Sequence, residues 1–142
     1  VIGDVAGAIG EAARVLRSGG RLIAFHGTPT RERDDHDFTT AISGLDSLLR
    51  RPDGPEALDA AAAAAGLAPI GATLSAPIRF NESPNELADG IEQRLWSYLW
   101  DVDPVTWRDV VAPVADRLRR LPDPGRPRPY LSRSRLAVFE AA

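Results

Sequence analysis

Cysteine is absent from the 142 residues, and so is lysine, because all seventeen basic side chains are arginine. Without cysteine there is no disulfide, no zinc–thiolate site and no cysteine nucleophile, and the redox compartment goes unreported. The all-arginine usage fits genomic base composition. No apolar run approaches the roughly 20 residues of a membrane span. The N-terminus also lacks the basic-then-apolar layout of a signal peptide, so a cytoplasmic setting without membrane contact is expected. The net charge of −3 is spread along the chain and offers no footprint for nucleic acid. Aromatic residues make up only 6%, so any concentration of them is informative.

What is present belongs to a globular protein. Apolar residues account for 44% and charged residues for 26%, an ordinary balance for a packed domain. The length suits one domain with a real core, and residues 1–142 are expected to form a single partial domain without internal repeats. The chain begins at Val1 rather than methionine, which points to a fragment.

From Asp4 to Leu16 the residues Val5, Ala8, Ile9, Ala12, Val15 and Leu16 recur three or four apart, predicting an amphipathic helix capped by Asp4. It ends at Ser18-Gly19-Gly20, because glycine takes the left-handed turn that stops a helix. Arg21 to His26 follows as a short apolar strand, expected to be covered on both faces as in an α/β unit. Gly27 to Asp37 reads as a polar loop, and Phe38 to Leu49 has weak helical spacing. Asp53, Pro55 and Glu56 start another helix that Gly66 closes. Leu67 to Leu74 predicts a second strand, continuing raggedly past Pro77 to Phe80 at a sheet edge.

Ser83, Pro84 and Glu86 have capping-box spacing and predict a helix to about Trp100. Asp103 and Pro104 start its partner, which runs to about Arg120. The proline-rich stretch 121–130 reads as an extended connection, and Arg135 to Glu140 as the last strand.

Asp4, Glu11, Arg14, Val15, Leu16, Gly19, Gly20, Arg21 and Leu22 make a pattern that resembles the middle of class I S-adenosylmethionine-dependent methyltransferases. There a helix ending in Arg-Val-Leu and a glycine pair leads into the fifth strand of a seven-stranded sheet. Ser18 stands where that pattern has proline. The order of elements afterwards agrees over nearly the whole chain. The resemblance implies the C-terminal part of a Rossmann-like α/β sheet, with a helical insertion at about 83–120 before the last strand. In that sheet the strand from Arg21 lies between the fourth strand and the last, and the sixth and seventh strands form a terminal antiparallel pair.

In the resembling enzymes the cofactor sits mainly on the first half, so no cofactor-binding residue is assigned here. Gly3, Gly7 and Gly10 lack the G-x-G-x-x-G spacing and no strand precedes them, so close helix packing is the better account. The resemblance implies a parent enzyme that methylates a small molecule from S-adenosylmethionine. This chain alone would be inactive, and would either assemble as a homo-oligomer or pair with a missing N-terminal half. The competing reading is a non-catalytic α/β module that binds a partner or dimerises.

Within that frame His26 is the candidate general base or substrate contact, because ligands of open α/β sheets gather beyond the carboxyl ends of the strands. Gly27 lies beside it. The plainer account is a histidine bonded to loop backbone. Trp96 and Trp100, four apart, are expected to share a helix face and form a lid over an apolar substrate, with Arg94 as a charged anchor. Packing of the same tryptophans into the core is the alternative. His36 among Asp34, Asp35 and Asp37 suggests a metal loop only superficially, since adjacent residues diverge, and no metal site is assigned. A serine hydrolase lacks its G-x-S-x-G elbow.

Overall fold

A computed structural model describes residues 4–48 and 54–142. In chain order the elements are α1 (Val5–Val15), β1 (Arg21–Phe25), β2 (Thr30–Glu32), α2 (His36–Ala41), a 3-10 turn (Leu45–Leu48), α3 (Pro55–Ala64), β3 (Leu67–Leu74) and β4 (Ile78–Glu82). There follow α4 (Pro84–Glu92), a second 3-10 turn (Ser97–Leu99), α5 (Pro104–Thr106), a π-helical stretch (Trp107–Val111), α6 (Ala112–Arg119), β5 (Arg128–Arg133) and β6 (Arg135–Ala141). The fold is mixed α/β. It divides into two compact units, the first made of 1–30, 51–77 and 133–142 and the second of 31–50 and 78–132.

In the first unit Asp4 caps α1 as expected, its Oδ1 accepting from the Gly7 N–H at 2.8 Å. A Cβ on Gly7 would stand 2.3 Å from Asp4 Oδ2, which explains a glycine inside the first turn. Gly19, at φ +72°, turns the chain, and its N–H bonds the Ala141 carbonyl at 2.9 Å. The turn is thereby tied to the end of β6, and β1 starts in register with it.

The sheet order is β1-β6-β3, with β6 antiparallel to both neighbours. β1 and β3 therefore run parallel to each other, and α3 lies on the connection between them. Across the first pair, Leu22 stands opposite Phe139 and Ala24 opposite Ala137. These side chains face the core made with Ile9 of α1 and Leu58, Ala61 and Ala62 of α3. Partners directly opposite share a face, so Ile23 with Val138 and Phe25 with Leu136 make the other one. Within this unit no described residue covers that face. Ile23 is 62% exposed and Phe25 71%, which corrects the expectation of a strand buried on both sides. The apolar run reports side-chain type, whereas the helices packed on this sheet lie on one face only.

The second unit holds the sheet β2-β5-β4 and the helices α2, α4, α5 and α6. The segment 27–37 is thus not all loop, since it carries β2 and the start of α2. The proline-rich stretch delivers β5 from Arg128 onward, with Pro129 opposite Asn81 of β4. β3 stops at Leu74, and Phe80 belongs to β4, an edge strand of this other sheet. The expected Leu49 end of the first helical stretch and the Asp53 cap lie outside the described residues, as does Gly3. Pro55 and Gly66 do open and close α3, Gly66 at φ +74°.

Ser83 and Glu86 form the reciprocal capping box that their spacing predicts. The helix ends at Glu92, however, well short of Trp100. Arg94 takes φ +52° and Trp96 is extended, so Trp96 and Trp100 do not share a helix face. The Trp96 ring folds back onto Gly90, where an added Cβ would come within 2.6 Å of it. Close packing at that glycine replaces the continued helix that spacing alone favours.

Asp103 Oδ1 accepts from the Val105 and Thr106 N–H groups at 2.9 and 3.0 Å, and Pro104 opens the partner helix as expected. Its π-helical stretch precedes Pro113, which has no N–H to return to the carbonyl four residues back, so the regular ladder loosens there. α4 packs on α6 around Leu87, Ile91, Leu99, Val111, Val114 and Leu118, with Phe38 from α2 fully buried among them.

Candidate functional site

In the first unit the chain leaves β1 at His26, whose N–H bonds the Arg135 carbonyl at 2.8 Å and so holds the residue to the end of β6. Gly27 follows at φ +95°, a conformation that a side chain strains. A Cβ there would also lie 3.4 Å from Pro55, the first residue of α3. The corner after β1 therefore abuts the first turn of α3, and one turn further along that helix is Asp59. His26 Nε2 lies 3.1 and 3.2 Å from the two Asp59 carboxylate oxygens. The histidine side chain is 19% exposed and the aspartate 55%.

An ionised carboxylate only accepts hydrogen bonds, so the neutral ring that suits this contact is the one with its proton on Nε2 and the lone pair on Nδ1. Chemically, this arrangement can accept a proton at Nδ1 from a hydroxyl or amine while the carboxylate balances the charge that develops on the ring. Sequence reasoning singled out His26 and Gly27 and did not reach Asp59, which the structure brings against His26. The available signal was the connection itself, because a helix that follows a strand through a crossover brings its first turns near that strand's carboxyl end.

Arg94, Trp96 and Trp100 belong to the second unit and form a local arrangement there. The Arg94 guanidinium donates from Nη1 to the Leu99 and Trp100 carbonyls at 3.0 and 3.1 Å and lies 4.2 Å from the Trp107 ring centroid. Trp100 Nε1 donates to the Arg94 carbonyl at 2.9 Å. Trp96 stacks on Tyr98 with centroids 6.2 Å apart and packs against the helical core. Trp100 is 59% exposed and leaves its ring face to solvent.

The acidic stretch around His36 is used structurally. Asp35 caps α2 through Phe38 N–H at 2.8 Å and pairs with Arg128 at 2.5 Å. Those contacts hold its carboxyl below the ordinary carboxylate range, the Phe38 N–H contributing most. A cleft of about 490 Å³ is lined by Asp34, Asp35, Asp37, Asp123, Arg126 and Arg128 with three prolines. Among the described residues no three metal-ligating side chains converge.

Arg33, from the same stretch, is 2% exposed and hydrogen-bonds Glu82 through Nη2. It lies between the Phe38 and Tyr130 rings, 4.0 and 4.3 Å from their centroids. Among the described residues its Nε and Nη1 have no hydrogen-bond partner, and the two ring faces stand against the guanidinium. No protein-family model matches this sequence, and no curated protein matches it.

Proposed function

We propose that this chain is the C-terminal, substrate-side portion of an S-adenosylmethionine-dependent methyltransferase acting on a small molecule. The observation that supports the reading best is the strand order β1-β6-β3, in which the last strand runs antiparallel between two parallel ones. The resemblance expects this of its fifth, seventh and sixth strands, in a Rossmann-like seven-stranded sheet whose first four strands would come from elsewhere.

The cofactor supplies the methyl group, the acceptor's lone pair forming the new bond as the carbon–sulfur pair returns to sulfur. This chain's share is on the acceptor side. His26 takes the proton that the acceptor loses and passes it to solvent, and Gly27 gives the acceptor close approach to the backbone.

Binding measurements test the proposal. A longer polypeptide that includes the coding region before Val1 is expected to bind S-adenosylmethionine in calorimetric titration, and the 142-residue chain to bind it weakly or not at all. Micromolar binding by the short chain alone, or none by the long one, contradicts the reading.

A second reading, a non-catalytic dimerisation module, draws on a different observation. The N–H of His26 bonds β6, so by the two-residue alternation of antiparallel pairing the backbone groups of Arg21, Ile23 and Phe25 point to the other edge. β1 is the end strand of its sheet.

A further inference from the structure

We infer that Asp59 is a positioning residue for His26, holding the ring as the Nε2–H tautomer so that Nδ1 is the proton-accepting atom. The inference rests on the acceptor-side reading of His26 given above, and adds to it which nitrogen works and what fixes it.

Three observations carry it. Nε2 is within 3.2 Å of both Asp59 oxygens, so small rotations of either side chain keep the contact. The histidine's backbone is fixed by its bond to Arg135 and by the Gly27 corner against Pro55. The helix bearing Asp59 is fixed by its neighbours Leu58, Ala61 and Ala62, all buried against the sheet. Both partners thus sit on packed backbones, so pairing has only the side-chain torsions of the two residues left to fix. An imidazole in water samples both neutral tautomers, whereas one facing a fixed carboxylate is confined to the form that donates to it. Asp59 touches neither acceptor nor methyl donor in this account. It acts through the ring.

The test uses the 15N-labelled 142-residue chain at alkaline pH, read by long-range proton–nitrogen correlation of the imidazole rings, with His36→Gln separating the two histidines. The wild-type chain is expected to show His26 as a single Nε2–H form whose N–H signal is protected from exchange with water. Asp59→Ala, a change to a better helix former at an exposed helix position, is expected to lose that signal and show both tautomers. Glu56→Ala on the same helix is expected to leave it unchanged. A wild-type ring protonated on Nδ1, or the same spectrum in Asp59→Ala as in wild type, overturns the inference.

In the longer polypeptide, Asp59→Ala is expected to lower kcat by roughly tenfold or more with the KM for the methyl donor unchanged. An unchanged kcat overturns the catalytic part of the inference. If the wild-type longer polypeptide transfers no methyl group, the acceptor-side reading fails, while the ring spectra still decide whether Asp59 holds His26.

Discussion

Trp100 and Arg94 bond each other reciprocally: the indole N–H donates to the Arg94 carbonyl at 2.9 Å, and the guanidinium donates to the Trp100 carbonyl at 3.1 Å. The clasp closes the loop after α4 although the Trp100 ring is largely in solvent. Trp100→Phe keeps an aromatic ring, though a smaller one, and removes the N–H, and is expected to cost about 1 kcal/mol. Trp96→Ala removes a ring seated on Gly90 and the helical core, and is expected to cost about 3 kcal/mol or more. Urea melts of both variants check this ordering. Equal losses would show that the two tryptophans play the same structural part.

Arg33 gives a second prediction. Removing one member of a buried ion pair weakens the other's compensation, so Arg33→Ala is expected to cost about 3 kcal/mol, with Glu82 left only its longer contact to Arg31 at 3.9 Å. Replacing both by apolar side chains, Arg33→Met with Glu82→Leu, is expected to recover most of that loss. Denaturant midpoints of the single and double variants decide it. A single variant as stable as wild type would mean the ring faces alone fill the site.

These contacts show how far the sequence could be read. Asp4, Ser83 with Glu86, Asp103 with Pro104, and Gly66 mark helix ends through bonds within a few residues, and each does so in the structure. β3 and β6 were legible because apolar runs sit between clear breaks. The end of α4 was not, because the fold-back of Trp96 onto Gly90 is a tertiary event with no periodic signature. The burial of Arg33 within "RERDD" was equally hidden, since the rings that flank it come from α2 and β5. At the site, His26 and Gly27 follow from the strand, but Asp59 enters from a helix some thirty residues on. Nothing local links the pair.

Acid should weaken the second unit. The Phe38 N–H and Arg128 hold the folded Asp35 carboxyl below its ordinary value of 3.8. A group lowered in the folded state contributes stability above its unfolded pKa, and loses it as pH falls through the folded one. The melting temperature is therefore expected to drop as pH falls from about 5 to below 3. The Ser83 N–H lowers Glu86, and the Thr106 hydroxyl and then its N–H lower Asp103, in the same direction. Asp35→Asn, which still caps but does not titrate, is expected to make the decline shallower. An identical pH profile in the variant would remove Asp35 from the account.

The open edge of β1 predicts association. Ile23 and Phe25 expose apolar surface beside unpaired backbone groups, the combination that invites another strand. Light scattering across a dilution series is expected to find dimers or larger species of the 142-residue chain, and Ile23→Lys with Phe25→Lys to shift them toward monomer. A wild-type chain that stays monomeric throughout would show that this edge has no affinity for its own kind.

A labelling assay decides whether His26 serves the acceptor side of a methyl transfer. The longer polypeptide is incubated with S-adenosylmethionine labelled in its methyl group and a panel of small hydroxy and amino acceptors, beside its His26→Ala variant. The account predicts label transferred to at least one acceptor and a loss of roughly 100-fold in the variant. A wild-type polypeptide that binds the donor yet transfers no label to any acceptor, or a His26→Ala variant as fast as wild type, would contradict it.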